Sequence, residues 1–242
     1  MKAALVQAGG RSSRMRGDGS PDHKALARVR GRTLLEWNVQ ALVDAGFLDI
    51  AIAVSAAESA LLSATKTIAA PLVQAAGGSL RLIVEEQPLG TIGAARECSF
   101  ADALLVVNID NLTSLDLADF LDHHLREEAA MTVATHIEGF QIPYGEALIE
   151  EERLIGIIEK PIKRYRISSG TYVLSAEAAA LIDAGESIGA PTLFERVLSA
   201  GGKAAAYPHD RIWIDINAPE DLRRAEALLS ATPAPVRLAR NG

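Results

Sequence analysis

Three groups of residues in this 242-residue chain have types and spacing suited to chemistry. The first is Gly9-Gly10-Arg11-Ser12-Ser13-Arg14-Met15, directly after the apolar run Leu5-Val6-Gln7-Ala8, with Lys24 a few residues on. Paired glycines let the backbone bend tightly and turn its N–H groups toward a ligand. Arg14 and Lys24 add fixed positive charge beside those donors. Such a loop suits a nucleoside triphosphate; the same residues also make an ordinary strand-to-loop turn with solvated arginines. The second group pairs Asp110, after Leu104-Leu105-Val106-Val107, with Asp215, after Ile212-Trp213-Ile214. If both meet at one crevice, they would hold Mg²⁺ through oxygen and leave positions for water and phosphate oxygens. Singly, Asp110 also reads as an Asx turn with Asn111, and Asp215 as a helix-start residue near Asn217. The third is Glu85-Glu86-Gln87-Pro88-Leu89-Gly90-Thr91. Here Gly90 would admit a flat base, and a nearby carboxylate or amide could read the base edge. A Pro-Gly loop capped by Thr91 is the plain alternative.

Other residues carry weaker signals. Tyr144-Gly145 and Glu159-Lys160-Pro161 flank a hairpin pattern; Glu159 would accept from sugar hydroxyls and Lys160 would meet a phosphate, or the two form a solvated pair before a turn. The run Lys163-Arg164-Tyr165-Arg166 reads as a solvated patch, with contact to phosphate or a partner subunit as the alternative. His123 and His124 are adjacent in a helix, point to different faces and lack the spacing of a metal pair. Cys98, in an Ala-rich segment, reads as a small core residue, and Trp37 and Phe120 as core residues of helix faces. No Ser-His-Asp or Cys-His arrangement has sequence support.

These groups need a scaffold, and the apolar pattern supplies one. Buried strands are predicted at Lys2–Ala8, Asp49–Ser55, Leu80–Glu85 and Ala103–Asn108. Helices are predicted from the capping box Thr33-Leu34-Leu35-Glu36 to Gly46, from about Ala57 with an interruption at Pro71, and over roughly Leu115–Glu128. This alternation predicts an α/β fold with a parallel sheet and helices on both faces. Ligands in such sheets bind beyond the carboxyl ends of the strands, where the Gly9-Gly10 loop, the Glu85–Thr91 loop and the Asn108–Asn111 turn all fall. Further on, strands are predicted at Met131–Ile137, Gly170–Leu174 and Ile212–Ile216, and a hairpin pairs Glu146–Ile149 with Leu154–Glu159. Helices are expected at Ala176–Ala184 and Thr192–Ala200, and a last one is capped by Asn217 with Pro219 in its first turn. The tail from Thr232 reads as frayed.

Composition narrows the class. Apolar residues at 49% and charged residues at 23% describe an ordinary globular protein. A net charge of −7 argues against a nucleic-acid partner. One cysteine excludes an internal disulfide and suits a reducing compartment. The absence of a leader or an apolar run of about 18 residues gives a cytoplasmic, non-membrane expectation.

The motifs occur in an order that resembles the sugar-1-phosphate nucleotidyltransferases, including the glucose-1-phosphate thymidylyltransferases and the mannose- and heptose-1-phosphate guanylyltransferases. The resemblance runs from Met1 to Leu229 and is carried by Ala8-Gly9-Gly10-Arg11-Ser12-Ser13-Arg14-Met15, Lys24-Ala25-Leu26, Pro88-Leu89-Gly90-Thr91-Ile92-Gly93-Ala94 and Val107-Asn108-Ile109-Asp110. It continues through Pro143-Tyr144-Gly145, Glu159-Lys160-Pro161, Ser169-Gly170-Thr171-Tyr172-Val173-Leu174 and Trp213-Ile214-Asp215-Ile216 with Pro219-Glu220-Asp221-Leu222. The chain departs from the family at Ser12 (Gly in the family), at Asp22-His23 (where a Pro precedes the Lys), at Ile109 (Gly) and at Ser168-Ser169 (Asn-Ala).

The resemblance implies a Rossmann-like three-layer αβα sandwich with a mostly parallel mixed sheet, like that of GT-A glycosyltransferases. It implies one domain over 1–231, with a nucleotide half (1–128) and a sugar-phosphate half (129–231), and a flexible tail over 232–242. The implied reaction joins an NTP, with a lean toward GTP, to a sugar 1-phosphate, giving an NDP-sugar and pyrophosphate with Mg²⁺. Ala8, Gly9, Gly10, Arg11, Ser12, Glu85, Gly90, Thr91 and Asn108 would bind nucleotide. Arg14, Lys24 and Asp110 would be catalytic, Asp110 and Asp215 would hold the metal, and Gly145, Glu159, Lys160 and Gly170 would bind the sugar phosphate. A homo-oligomer is compatible with all of this. The alternatives are a non-catalytic nucleotide-sugar-binding protein and a glycosyltransferase using a ready-made nucleotide sugar.

Overall fold

Short runs of apolar, β-branched residues bounded by helix caps and glycine turns build a layered α/β architecture. The computed structural model describes residues 1–10 and 23–231, and the predicted tail from Thr232 lies outside them. The chain runs through β1 (Lys2–Ala8), a 3₁₀ turn (Lys24–Leu26), β2 (Arg28–Val29), β3 (Arg32–Thr33), α1 (Leu34–Asp44) and β4 (Phe47–Ser55). Then come α2 (Ser59–Ala64), a π-helical turn (Thr65–Ala69), α3 (Ala70–Ala75), β5 (Ser79–Glu85), a 3₁₀ turn (Gly93–Glu97), β6 (Ala103–Asn108), β7 (Asn111–Thr113) and α4 (Leu117–Arg126). The second half comprises β8 (Met131–Gln141), β9 (Glu146–Glu150), β10 (Arg153–Ile158), β11 (Ile162–Ser175), α5 (Ala176–Ala180), α6 (Ala190–Ser199), β12 (Ala204–Pro208), β13 (Trp213–Asp215) and α7 (Pro219–Ala231).

The central sheet has seven strands in the order β12-β8-β11-β6-β1-β4-β5. β6, β1, β4 and β5 are parallel. β11 runs antiparallel to both β6 and β8, and β12 parallel to β8. The sheet is therefore mixed and mostly parallel, as the resemblance implies. Alternating side chains feed opposite faces. Val6, Ile52, Val54, Leu105 and Val107 pack with Leu35 and Val39 of α1 and Phe120 of α4. Leu5, Ala53, Val106 and Leu174 pack with Ala178 of α5 and with Leu193 and Val197 of α6. Trp37 packs at the edge of a third cluster around Ile214, Ile216 and Ala225. No helix among the described residues is long and apolar enough to cross a membrane.

Local chemistry sets the boundaries. α1 starts at the Thr33 capping box: the Thr33 hydroxyl accepts from the Glu36 amide (3.1 Å), and the Thr33 amide donates to the Glu36 carboxylate (2.7 Å). Pro71 interrupts less than predicted, because it lies in the first turn of α3, where its missing N–H costs no helical bond. β11 begins well before Gly170. Its first half pairs with the extended end of β8, so cross-strand bonding overrides the charged run Lys163–Arg166. The start of α7 is capped by Asp221, whose carboxylate accepts from the amides of Asn217 (3.0 Å) and Ala218 (2.9 Å). The predicted cap, Asn217, instead donates its side-chain amide to Asp215 (2.6 Å).

Candidate active site

The parallel strands β1, β5 and β6 end on one edge of the sheet, and most of the predicted residues gather there. β1 delivers Ala8, Gly9 and Gly10; β5 delivers Glu85; β6 delivers Asn108, followed by Asp110. Arg11, Ser12 and Arg14 lie outside the described residues. The described chain resumes at His23, which the sequence marked only as a departure from the family pattern. His23 is 1% exposed. Its Nδ1 accepts from the Ala25 amide (3.1 Å), so its Nε2 carries the proton and donates to the Gly10 carbonyl (2.8 Å). This ring pins the loop's start to its return and sets the 3₁₀ turn that presents Lys24.

Lys24 donates its ammonium to Asp110 Oδ2. The backbones around the two aspartates are bound together: Asp215 of β13 pairs with Asn111 of β7, and the Ile216 amide donates to the Asp110 carbonyl (2.9 Å). Burial pushes the Asp215 carboxyl above its ordinary range, and the negative charge of Asp110 pushes it the same way. Two carboxylates more than a hundred positions apart in sequence thus feel each other across one crevice, beside Lys24.

Glu85 closes the other side of the loop. It is 4% exposed, and its carboxyl lies against Gly9, where a Cβ would fall 2.1 Å from Oε2. Gly9 is therefore required by the close approach of Glu85. Burial raises the Glu85 carboxyl, and a long hydrogen bond from the Leu89 amide (3.4 Å) offsets this in part. Among the described residues, Glu85 Oε1 is buried without a hydrogen-bond partner, and so are both polar atoms of the Gln7 side chain. Gln7 follows Leu5 and Glu85 follows Ile83 on the same face of the sheet. The signal for Gln7 was legible: an amide inside an otherwise apolar strand.

The Glu85–Thr91 loop is braced by α6's approach segment. Gly90 has φ +78, and a Cβ there would fall 2.3 Å from the Ile188 carbonyl, so chain packing explains this glycine. Thr91 caps no helix; its hydroxyl accepts from the Ala190 amide (3.3 Å). Gly170, at φ +66, lies under the side-chain amides of Asn111 and Asn108, which a Cβ would meet at 2.3 and 2.8 Å. Asn111 in turn donates to the Ser169 carbonyl (2.8 Å). Gly145 and Glu159 form a separate group at the β9–β10 hairpin, where a Cβ on Gly145 would lie 3.4 Å from Glu159 Oε2. Lys160 follows with φ +45, a left-handed conformation unusual for a side-chain-bearing residue. Among the described residues, no hydrogen bond or ion pair joins this group to the aspartates.

The other candidates are structural. Cys98 has its thiol pushed up to about 11 by burial, which suits a core residue and not a nucleophile. His124 is buried, bonded to Thr132 (2.8 Å), and its pKa is lowered to about 4 by burial and by His123.

Residues 4–200 match the MobA-like NTP transferase domain. The mannose-1-phosphate guanyltransferase of Pichia angusta is 26% identical over 235 residues, which cover 90% of this chain and 61% of that protein. The mannose-1-phosphate guanylyltransferase of Mycobacterium tuberculosis is 30% identical over 169 residues, 66% of this chain and 47% of that protein. The chain thus spans less than two thirds of the length of these curated relatives. The crystal structure of HddC from Yersinia pseudotuberculosis complexed with GMP-PN shares the fold, with a TM-score of 0.68 at 24% identity, covering 95% of this chain and 100% of that one.

Proposed function

Because the chain belongs to the MobA-like NTP transferase domain family, we propose that it joins a sugar 1-phosphate to a nucleoside triphosphate, giving a nucleoside diphosphate sugar and pyrophosphate. The observation that carries this reading is the meeting of Lys24, Asp110 and Asp215 beside the Gly9-Gly10 loop. A sugar phosphate has a second pKa of about 6 and is largely a dianion at neutral pH. Its oxygen attacks the α-phosphorus, the bond from that phosphorus to the bridging oxygen breaks, and pyrophosphate leaves with the electron pair. No proton needs to move and no covalent enzyme intermediate is required. The difficulty is electrostatic, since two anions must be aligned in contact.

The chain's own residues answer that difficulty. Backbone amides after Ala8 receive the triphosphate, with Arg11 and Ser12 completing the loop. Lys24 and Arg14 stabilise charge growing on the leaving pyrophosphate. Asp110 and Asp215 present an all-oxygen donor set that would hold a divalent cation, and burial together with the charge of Asp110 raises Asp215. Mg²⁺ bound by them would supply neutralisation of the phosphate charge.

GTP is the favoured nucleotide. Glu85 Oε1 is a buried acceptor in need of donors, and guanine offers an N–H and an amino group on one edge. Uracil and thymine would set carbonyl oxygens against the same carboxylate. Asn108 at the end of β6 and the backbone of Gly90 and Thr91 would complete the nucleotide side, with Gly90 itself fixed by packing against Ile188. Gly145, Glu159, Lys160 and Gly170 would receive the sugar phosphate, so that residues 1–128 serve the nucleotide and 129–231 the sugar within one domain. The lone, half-buried Cys98 fits work in the cytoplasm.

Pyrophosphate release tests the reading, measured for four NTPs against mannose, glucose, glucosamine and heptose 1-phosphates with Mg²⁺. Release is expected with GTP and at least one sugar phosphate. No release from any pair would overturn the proposal.

A further inference from the structure

Beyond the aspartates, the same edge of the sheet holds a polar cluster with no part in the reaction above. It is built on Ser169, one of the positions that departs from the family pattern. The Ser169 carbonyl accepts from both Asn111 Nδ2 and Trp213 Nε1, each at 2.8 Å, which fixes its backbone. Its hydroxyl sits between two imidazoles, 2.9 Å from His136 Nδ1 and 2.8 Å from His209 Nε2.

The protons in this chain of bonds can be assigned by counting donors. The Arg211 amide donates to His209 Nδ1 (3.2 Å), so that nitrogen bears no hydrogen. Burial lowers the pKa of both rings, and each holds one proton at neutral pH. His209 therefore donates from Nε2 to the Ser169 oxygen. The Ser169 hydroxyl must then donate to His136 Nδ1, which leaves the His136 proton on Nε2. Among the described residues that N–H is buried and makes no hydrogen bond. Glu138 Oε2 faces it at 3.6 Å, outside hydrogen-bond distance, and its charge offsets part of the effect of burial on the ring. A buried donor without a hydrogen bond is costly, and such a group calls for an occupant.

His136 borders a cleft of about 530 Å³ where β12 has ended and β8 runs on paired with β11 alone. Trp213 packs tilted against His136 with ring centroids 4.3 Å apart, and Arg166 and Arg211 line the cleft together with two acids, Glu138 and Asp210. Trp213 is two residues before Asp215 on β13, so both side chains project from the same face of that strand. The cleft is thus a neighbour of the aspartate pair.

We propose that this cleft is an oxyanion site, in which the His136 Nε2–H and the guanidinium groups of Arg166 and Arg211 hold a phosphate or carboxylate group. Guanidinium donors suit the planar or tetrahedral oxygens of such a group. The acidic group belongs either to a second position of the sugar substrate, which rests on the reading of this chain as a sugar-phosphate nucleotidyltransferase, or to a free anion.

Nitrogen-15 NMR of the histidine rings tests the proposal in the full chain. His136 is expected as the Nε2–H tautomer. Titrated inorganic phosphate is expected to shift its ring signals saturably, in the wild type and equally in Asp110→Asn. The double variant Arg166→Ala/Arg211→Ala, altered only at exposed side chains, is expected to bind phosphate at least about 10-fold more weakly. Glucose 1,6-bisphosphate is then compared with glucose 1-phosphate in pyrophosphate release. A KM at least 10-fold lower for the bisphosphate, lost in the double variant, assigns the group to the substrate. Saturable phosphate binding with equal KM values assigns it to a free anion. No saturable shift at His136 with phosphate or bisphosphate, or binding unchanged in the double variant, overturns the site. If neither glucose phosphate turns over, the NMR titration still decides the cleft, and the transferase reading is decided by the full panel of sugar phosphates.

Discussion

Gly170→Ala is a local perturbation with a calculable size. The backbone there has φ +66, which a residue with a Cβ adopts at a cost of about 1–2 kcal/mol. The new methyl would also fall 2.3 Å from Asn111 Nδ2 and 2.8 Å from Asn108 Nδ2. Asn111 is 5% exposed and donates to the Ser169 carbonyl, so displacing it breaks a buried bond, at roughly 1–3 kcal/mol. The sum is about 2–5 kcal/mol, or a Tm lower by roughly 5–15 °C for a protein of this size. Gly201→Ala is the control. Its φ is +78, and nothing lies within 4 Å of its Cβ position, so it bears the strain alone, about 1–2 kcal/mol. Thermal unfolding by circular dichroism separates the two. Pyrophosphate release well below the transition should fall further in Gly170→Ala, because Asn108 and Asn111 flank Asp110. Equal Tm losses in the two variants, with turnover intact in both, would refute this account of how Gly170 supports the site.

Glu85→Gln is expected to raise the Tm while lowering kcat/KM for GTP. Burial lifts the Glu85 carboxyl, so the folded state holds its proton more tightly than the unfolded one. The charged form therefore costs stability as pH rises above the ordinary carboxylate range, and a neutral amide removes that cost. A lowered Tm at pH 7.5 would contradict it. His124 sets an acid limit of opposite sign. Its folded pKa of about 4 lies below the unfolded 6.5, so the unfolded state takes up the extra proton and stability falls as pH drops through that window. The full interval is worth at most about 3 kcal/mol. Urea midpoints from pH 7 to 4 should show the fall in the wild type and a shallower one in His124→Gln.

Much of this was legible in the sequence, for identifiable reasons. β1, β6 and α1 show because a run of buried residues or a capping box marks them locally. The crevice at the strand ends shows because parallel topology fixes where loops gather. Other features depend on distant partners. β7 and β12 are short, and only pairing with β13 and β8 makes them strands. The first half of β11 reads as a charged run, since its pairing residues lie on the far end of β8. Gly90 reads as room for a ligand, whereas Ile188, almost a hundred residues later, occupies that direction. His23 and Ser169 gain their roles through hydrogen bonds with no trace in local spacing.

The meeting of Asp110 and Asp215 as one functional unit is open to a direct measurement. Pyrophosphate release is followed from GTP and the best sugar 1-phosphate with Mg²⁺ for Asp110→Asn, Asp215→Asn and the double variant. Residues that act together lose activity once, not twice. Each single change is expected to lower kcat at least 100-fold, about 3 kcal/mol, and the double variant should be no slower than the worse single one. Near-normal turnover in either single variant, or a double variant slower by the product of the two losses, would contradict a shared site.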